Sequence, residues 1–411
     1  MPPSRRRASL GAIAVVCTLL LGAAPACAIA QQPPSPVTIT RDSAVSLALA
    51  HGSRAAIASA DSRAASARVR QAGMLANPIL STSYSKAVPQ YHASIDFPLD
   101  FLTLRNLRIA SARSASEAAQ LRLAFERAAI RLDVDTSYTI AAARGARAIL
   151  SLRNAADAES LLTVANVRRS AGDASDLDVD VARINAGRAR NAAAADSEAA
   201  VSSVLALQQA LGLAVDVPTI AIADSLDVPR VDTLGTAPSL SVAAAQRDLR
   251  SSEQALALEH RNIWSGLALQ AGVENHDPTG TETGILPTVG ISIPLPLFSQ
   301  GRGSIAVAEA ERDRARAELA ATQRESAAQV SRARRELAAA TVRVERDRLL
   351  VESANRVARL SLQAYVEGQY PLTTVLEAQR NARDTLAELI DDLVSANTAA
   401  AALRLYAKTA S

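Results

Sequence analysis

Apolar and polar positions alternate with a period of two in four short stretches, and after each pair of stretches the period lengthens to that of a helix. Tyr91, Ala93, Ile95 and Phe97 alternate with His92, Ser94 and Asp96. Leu267, Leu269, Ala271 and Val273 alternate with Ala268, Gln270, Gly272 and Glu274, and Ile285, Val289, Ile291 and Ile293 with Thr288, Gly290 and Ser292. Residues 79–86 form a fourth, weaker candidate. A period of two predicts strands with one greasy face. Each run is close to the roughly 9 to 11 residues that cross a bilayer as a tilted strand with its apolar side to lipid. A small antiparallel sheet resting on a soluble core gives the same alternation, and on this pattern alone it is the simpler explanation.

Residues 105–170 and 301–366 contain no Pro, and Gly only at Gly145, Gly301 and Gly303. Each stretch predicts one helix of roughly 100 Å at 1.5 Å per residue, which needs an equally long partner. Gly172 and Gly368 then stand where a helix C-terminus takes a left-handed residue, and helix-start signals follow three residues later. Ser175 is placed to cap the backbone of Asp178, and Pro371 suits a first helical turn. Returning helices are predicted to run to about Leu211 and Tyr406.

These landmarks recur at a constant offset of 196 residues. Ile95-Asp96-Phe97-Pro98-Leu99 falls on Ile291-Ser292-Ile293-Pro294-Leu295, Ile109-Ala110-Ser111-Ala112 on Ile305-Ala306-Val307-Ala308, and Gly172 on Gly368. The halves are copies with no insertion or deletion between landmarks, so length is itself constrained. Pro218, Pro229, Gly235 and Pro238, with β-prone runs such as Thr219-Ile220-Ala221-Ile222, mark residues 213–238 as a linker with local structure. The chain divides into a leader, residues 1–30; a first repeat, 31–212; the linker, 213–238; and a second repeat, 239–411.

Composition sharpens the helical reading. Aromatic residues are 3% and Ala is abundant, which suits thin, closely packed helices better than a broad globular core. The 44 basic and 41 acidic residues are interspersed, as on solvated helices laced with ion pairs. The pI of 9.1 raises nucleic acid as a partner. Interleaved acids and the scarcity of stacking aromatics exclude it.

Arg5, Arg6 and Arg7 precede an apolar stretch from Leu10 to Leu21 that is too short for a spanning helix, and Ala28-Ile29-Ala30 offers small residues for cleavage. The expectation is export, with a mature start near Gln31. Cys17 and Cys27 both lie in the removed segment, which leaves no thiol for disulfides or metal. Lipidation at Cys27 is the alternative, but Ala24-Pro25-Ala26 lacks the large aliphatic residue such sites use. Export and helices with 21% charged residues overall, which offer no broad apolar face, turn the strands toward lipid. Four strands cannot close a barrel and an open edge is not tolerated there, so several chains must share one.

Chemistry is sparse. His51, His92, His260 and His276 are scattered, and no nucleophile elbow, phosphate loop or dinucleotide fingerprint occurs, so no catalytic residue, metal site or cofactor is expected. Asp173, Asp176, Asp178 and Asp180 cluster, but a calcium loop would need Gly at Val181 and Glu at Gly187. Acids in a first helical turn are favoured by the helix dipole, with a role at the turn as the second reading. Residues 275–284 and 87–90 suit loops between strands.

Pro294-Leu295-Pro296-Leu297-Phe298 before Gly301-Arg302-Gly303, and Tyr365-Val366-Glu367-Gly368 before Val375-Leu376-Glu377-Ala378-Gln379-Arg380, occur in the order typical of one family. Gly172, Ser175, Asp178 and Val179 look like the first-repeat form of that turn. Over essentially its whole mature length the chain resembles the TolC-like outer membrane efflux proteins of Gram-negative bacteria. The resemblance implies a mainly α fold with a small β part, built as two-repeat helical hairpins in a periplasmic coiled-coil tunnel. It further implies a homotrimer whose four strands per chain make a shared transmembrane barrel in outer membrane lipid. A periplasmic adaptor and an inner-membrane pump are the implied partners of this passive exit duct.

In relatives the helical turns close the duct, which makes Gly172, Asp176, Asp178, Tyr365, Gly368, Tyr370, Thr374 and Glu377 the candidate gate residues. The chain departs from the family where Thr374 and Glu377 replace two aspartates and Tyr370 an arginine, which leaves any carboxylate ring to Glu377, with help from Asp178. The opening Ala48-Leu49-Ala50-His51-Gly52-Ser53 is a degraded form of a family motif within a persisting helical pattern. Candidate lipid-facing residues are Tyr91, Ile95, Phe97, Leu267, Leu269, Val273, Val289, Ile291 and Ile293. Small molecules or cations are the expected cargo, and few His with only Met74 beyond the initiator disfavour a dedicated copper path. The alternatives are polypeptide secretion through the same duct, or an exported structural coiled coil.

Overall fold

The computed structural model describes residues 36–86, 90–229, 238–262, 265–275, 284–298 and 300–408. The expected leader, His276, Gly235 and most of the two strand-connecting loops lie outside them. A first strand β1 (Val37–Ile39) leads into α1 (Arg41–His51) and α2 (Ser53–Ala72). Strands β2 (Ile79–Tyr84) and β3 (Tyr91–Pro98) follow, then a single turn α3 (Asp100–Thr103), the long α4 (Arg105–Ser170) and its return α5 (Asp176–Leu211). After β4 (Ile220–Ile222) the order repeats as α6 (Leu240–Arg261), β5 (Ala268–Asn275), β6 (Ile285–Ser292), α7 (Arg302–Val366) and α8 (Leu372–Tyr406).

The long helices have 66 and 65 residues, so each extends about 100 Å. Their buried positions are largely Ala, among them Ala118, Ala141, Ala165, Ala182, Ala340 and Ala396. Small side chains at the seams let the backbones approach closely without a wide core. Side by side the helices run α5, α4, α8, α7, with α2 against α4 and α6 across α4 and α7.

Several boundaries differ from the sequence expectation. Leu267 and Ile293 lie one residue outside their strands, and the weak first strand stops at Tyr84. Pro371 is the residue before α8 rather than its first member, with extended backbone at φ −73° and ψ 158°. The helical pattern around His51 is broken at Gly52, where ψ is 132°, so it makes two helices instead of one.

The linker is tied in more firmly than local signals suggested. Its strand β4 pairs in parallel with β1, Val37 opposite Ile220 and Ile39 opposite Ile222. Ile39, Val45, Ile130, Val134, Tyr138, Leu207, Leu211 and Ile220 pack into one core beneath this pair. The Tyr138 hydroxyl donates to the Ile39 carbonyl at 3.0 Å and accepts from the Asp224 amide at 3.2 Å. Gln208, fully buried, donates to the Ala214 and Val217 carbonyls and accepts from the Thr219 amide at 2.7 Å. A buried amide side chain satisfied at both ends fixes the path of the linker, because loss of any partner would strand a desolvated group.

The remaining strands form one antiparallel sheet in the order β2, β3, β5, β6. The β3–β5 pairing, Tyr91 opposite Asn275 through Pro98 opposite Ala268, joins the two repeats along eight residues. Just past it the Leu99 amide donates to the Leu267 carbonyl at 2.8 Å.

Candidate functional site

The two helical turns have the same backbone. Gly172 and Gly368 adopt φ +84° and +78°, the left-handed region that other residues enter only with strain. Asp173 donates its amide to the Arg168 carbonyl and Gln369 to that of Ala364, both at 2.8 Å, while Gly172 and Gly368 donate to Arg169 and Tyr365 at 3.0 Å. Such paired bonds satisfy carbonyls that a helix end leaves open.

Side chains then tie the turns together. Leu161, Ala165, Val179, Ala182, Tyr365, Leu372 and Val375 form one apolar cluster drawn from α4, α5, α7 and α8. Over it lies Arg168, from the last turn of α4. Its Nη1 donates to the Tyr365 carbonyl at 2.7 Å, its Nη2 to the Asp173 carbonyl at 3.3 Å, and its guanidinium sits 4.6 Å from the centre of the Tyr365 ring. A planar fork suits this combination of hydrogen bonding and stacking. Tyr365 is 2% exposed and its hydroxyl has no partner among the described residues. Burial pushes its phenol pKa up, and Arg168 pulls the other way.

The candidate carboxylates divide by occupation. Asp178 accepts from the Ser175 amide at 3.1 Å and hydroxyl at 3.0 Å, while Ser175 Oγ accepts from the Asp178 amide, a reciprocal cap on α5. Asp176 is paired with Arg169 and Asp180 with Arg183. Glu377 is exposed and makes no hydrogen bond or ion pair among the described residues. It lines, with Arg359, Arg380 and Asp157, a cavity of about 1340 Å³ between the hairpins. Tyr370 is 55% exposed in the turn before α8, and Thr374 donates its amide to the Pro371 carbonyl at 3.2 Å.

Arg168 is the residue that sequence reasoning missed. A basic residue in a last helical turn is ordinarily read as a complement to the helix dipole. Nothing local shows that it reaches a carbonyl 197 positions away.

At the other end of the long helices, the strand register puts Leu80, Tyr84, Tyr91, Ile95, Phe97, Leu269, Val273, Val289 and Ile291 on one face. Every one of them is exposed, from 39% at Ile95 to 80% at Val289. The opposite face carries Ser94, Asp96, Gln270 and Thr288, with His92 Nδ1 3.4 Å from Glu274 Oε1. No described helix covers the apolar face, so among the described residues the sheet does not rest on a core. Its outer edges, β2 and β6, have no strand beside them among the described residues. No described helix is long and apolar enough to cross a membrane, and no described group of His, Cys, Asp and Glu is arranged to hold a metal ion.

Residues 231–407 match the model of the outer membrane efflux protein family. No curated protein sequence matches the chain. Among solved structures, the outer membrane protein VceC of Vibrio cholerae is 17% identical with a TM-score of 0.72, over 90% of this chain and 96% of that one. CusC, described in the context of folding and transmembrane channel formation, is 14% identical with a TM-score of 0.75 over 93% and 96%. The CmeC outer membrane channel of Campylobacter jejuni is 12% identical with a TM-score of 0.74 over 92% and 90%. Residues 231–407 thus match the outer membrane efflux protein family, and the fold of the whole described chain is the fold of these outer membrane proteins.

Proposed function

We propose that the chain is one subunit of a trimeric exit duct, with its strands in the outer membrane of a Gram-negative bacterium and its long helices in the periplasm. The observation that carries this reading is the four-stranded sheet whose large apolar side chains are exposed on one face and whose two edges have no strand beside them among the described residues. An apolar face of that kind suits lipid, where open edges are not tolerated, and four strands cannot close on themselves. Three copies would supply twelve strands and close the ring. The flanking long helices support the same closure: α5 exposes Leu177, Ile184 and Val201, and α7 exposes Leu349, Val357 and Leu360.

In this reading residues 1–30 are a removed leader, and residues 31–212 and 239–411 are the two repeats, joined by 213–238. The duct has no energy source of its own, so an inner-membrane pump delivers cargo through a periplasmic adaptor. Small molecules or cations are the proposed cargo. The turns form the closed end, with Gly172 and Gly368 shaping it, Tyr365 buried under Arg168, and Tyr370, Thr374 and Glu377 toward the pore. Asp176 and Asp178 serve the first turn itself through Arg169 and Ser175, which leaves Glu377 as the free carboxylate of the gate.

The test is the native mass of the chain extracted from outer membranes in mild detergent, with detergent mass subtracted. Three chains per particle are expected. A monomer recovered without detergent would overturn the duct and return the strands to a soluble sheet in a structural coiled-coil protein.

A further inference from the structure

At the offset of 196 residues, Ser151 and Asp196 of the first hairpin correspond to Asp347 and Asp392 of the second. In the first, the Ser151 hydroxyl donates to the Asp196 carboxylate and links α4 to α5 near mid-length. In the second, the corresponding positions of α7 and α8 hold two carboxyl groups, with Arg343 of α7 on Asp392 of α8 one turn before Asp347. A hydroxyl brings its own proton, whereas two carboxylates have none between them unless one is protonated.

The surroundings favour that protonation. Asp347 is 8% exposed and its Oδ2 is buried with no hydrogen-bond partner among the described residues. Burial first, then Asp392 and Glu388, push its carboxyl above the ordinary value of 3.8, while Arg346 pulls it down. Two of the arginines nearby are already engaged. Arg343 Nε donates to Asp392 Oδ1 at 2.8 Å, and Asp391 is paired with Arg147 of α4. Four acids on α7 and α8 (Asp347, Glu388, Asp391, Asp392) thus face three arginines, Arg147, Arg343 and Arg346, two of which already hold Asp391 and Asp392.

We infer that one proton shared between Asp347 and Asp392 latches the second hairpin at mid-length, so that α7 and α8 hold together more tightly in acid than at neutral pH, relative to the first hairpin. The sign follows from linkage: a carboxyl whose folded-state pKa is raised contributes stability that is complete below the ordinary carboxylate pKa and is lost as pH rises through the raised one. The latch is a property of a single chain. Its bearing on the width of the duct wall rests on the function proposed above, whose failure would show in native mass and would leave the latch in place.

Amide hydrogen exchange of the full chain in detergent, from about pH 4 to about pH 8, tests it with the first hairpin as internal reference. The quantity is the protection of amides around Asp347 and Asp392 relative to those around Ser151 and Asp196, each corrected for intrinsic exchange. This ratio should fall as pH rises, at a slope no steeper than about tenfold per pH unit, the limit for one proton. It should be flat in Asp347→Ser, which gives the second hairpin the chemistry of the first, and in Asp347→Asn, whose amide donates without titrating. Glu388→Gln, a milder change, should keep the fall but move it to lower pH. A flat ratio in the unaltered chain, or an undiminished fall in Asp347→Ser and Asp347→Asn, would overturn the latch.

Discussion

The two helical turns differ in side chains while sharing their backbone hydrogen bonds. The first is closed by Ser175 and Asp178 in a reciprocal cap, with acids at Asp173, Asp176, Asp178 and Asp180. The second has Pro371 before α8, no side-chain cap, and no acid in the first turn of that helix. A preset extended backbone at Pro371 does in one copy what a hydroxyl and a carboxylate do in the other. The difference teaches that geometry at the turn is shared while charge is free to diverge. In the first copy carboxylates are consumed by capping and by Arg169; in the second, Glu377 stands free one turn further along.

The comparison also shows a dependence that runs one way. Arg168 of the first hairpin holds the Tyr365 carbonyl of the second, while Arg168 itself is steadied by the Asp173 carbonyl of its own turn. Replacing Arg168 with Ala is therefore expected to have the largest effect, and chiefly on the second turn. Loss of a charge-assisted bond to a buried carbonyl, with the stacking, should cost about 2 kcal/mol, seen as roughly 30-fold faster exchange of amides 366–374. Equal loosening of both turns would show that the link is reciprocal. Arg168→Lys keeps the charge without the fork and should fall between.

Ser175→Ala comes next, at about 1 kcal/mol, confined to the start of α5 and measured as lost protection of amides 176–179. Loosening of α8 by the same variant would mean that the two turns are not independently closed. Glu377→Gln should be the mildest for stability, within about 0.5 kcal/mol, because the side chain is exposed and unpaired. Its effect should appear instead as raised ion leak in a planar bilayer. Unchanged conductance would remove Glu377 from the gate and leave the closed end to Arg168 and Tyr365.

Much of the architecture was legible because the signals are local. Period two marked the strands, the Pro-free stretches marked α4 and α7, and Gly172 and Gly368 marked the turns, since only glycine enters φ near +80° without strain. The capping of Asp178 by Ser175 was equally legible, being a contact across three residues. The level of Asp347 with Asp392 follows from the repeat as well, since both lie equally far from the second turn of an antiparallel hairpin.

The sequence by itself therefore determined the long helices, the strands of the larger sheet and the two-fold repeat, because propensity, periodicity and caps act within a few residues of each other. Tertiary structure alone decided that β1 pairs in parallel with β4, that Gln208 and Tyr138 anchor the linker, and that Arg168 reaches across to Tyr365. It also decided that the apolar face of the sheet stays uncovered. Each of these depends on how distant surfaces meet, and the same local pattern is compatible with several such meetings until packing and the satisfaction of buried polar groups select one.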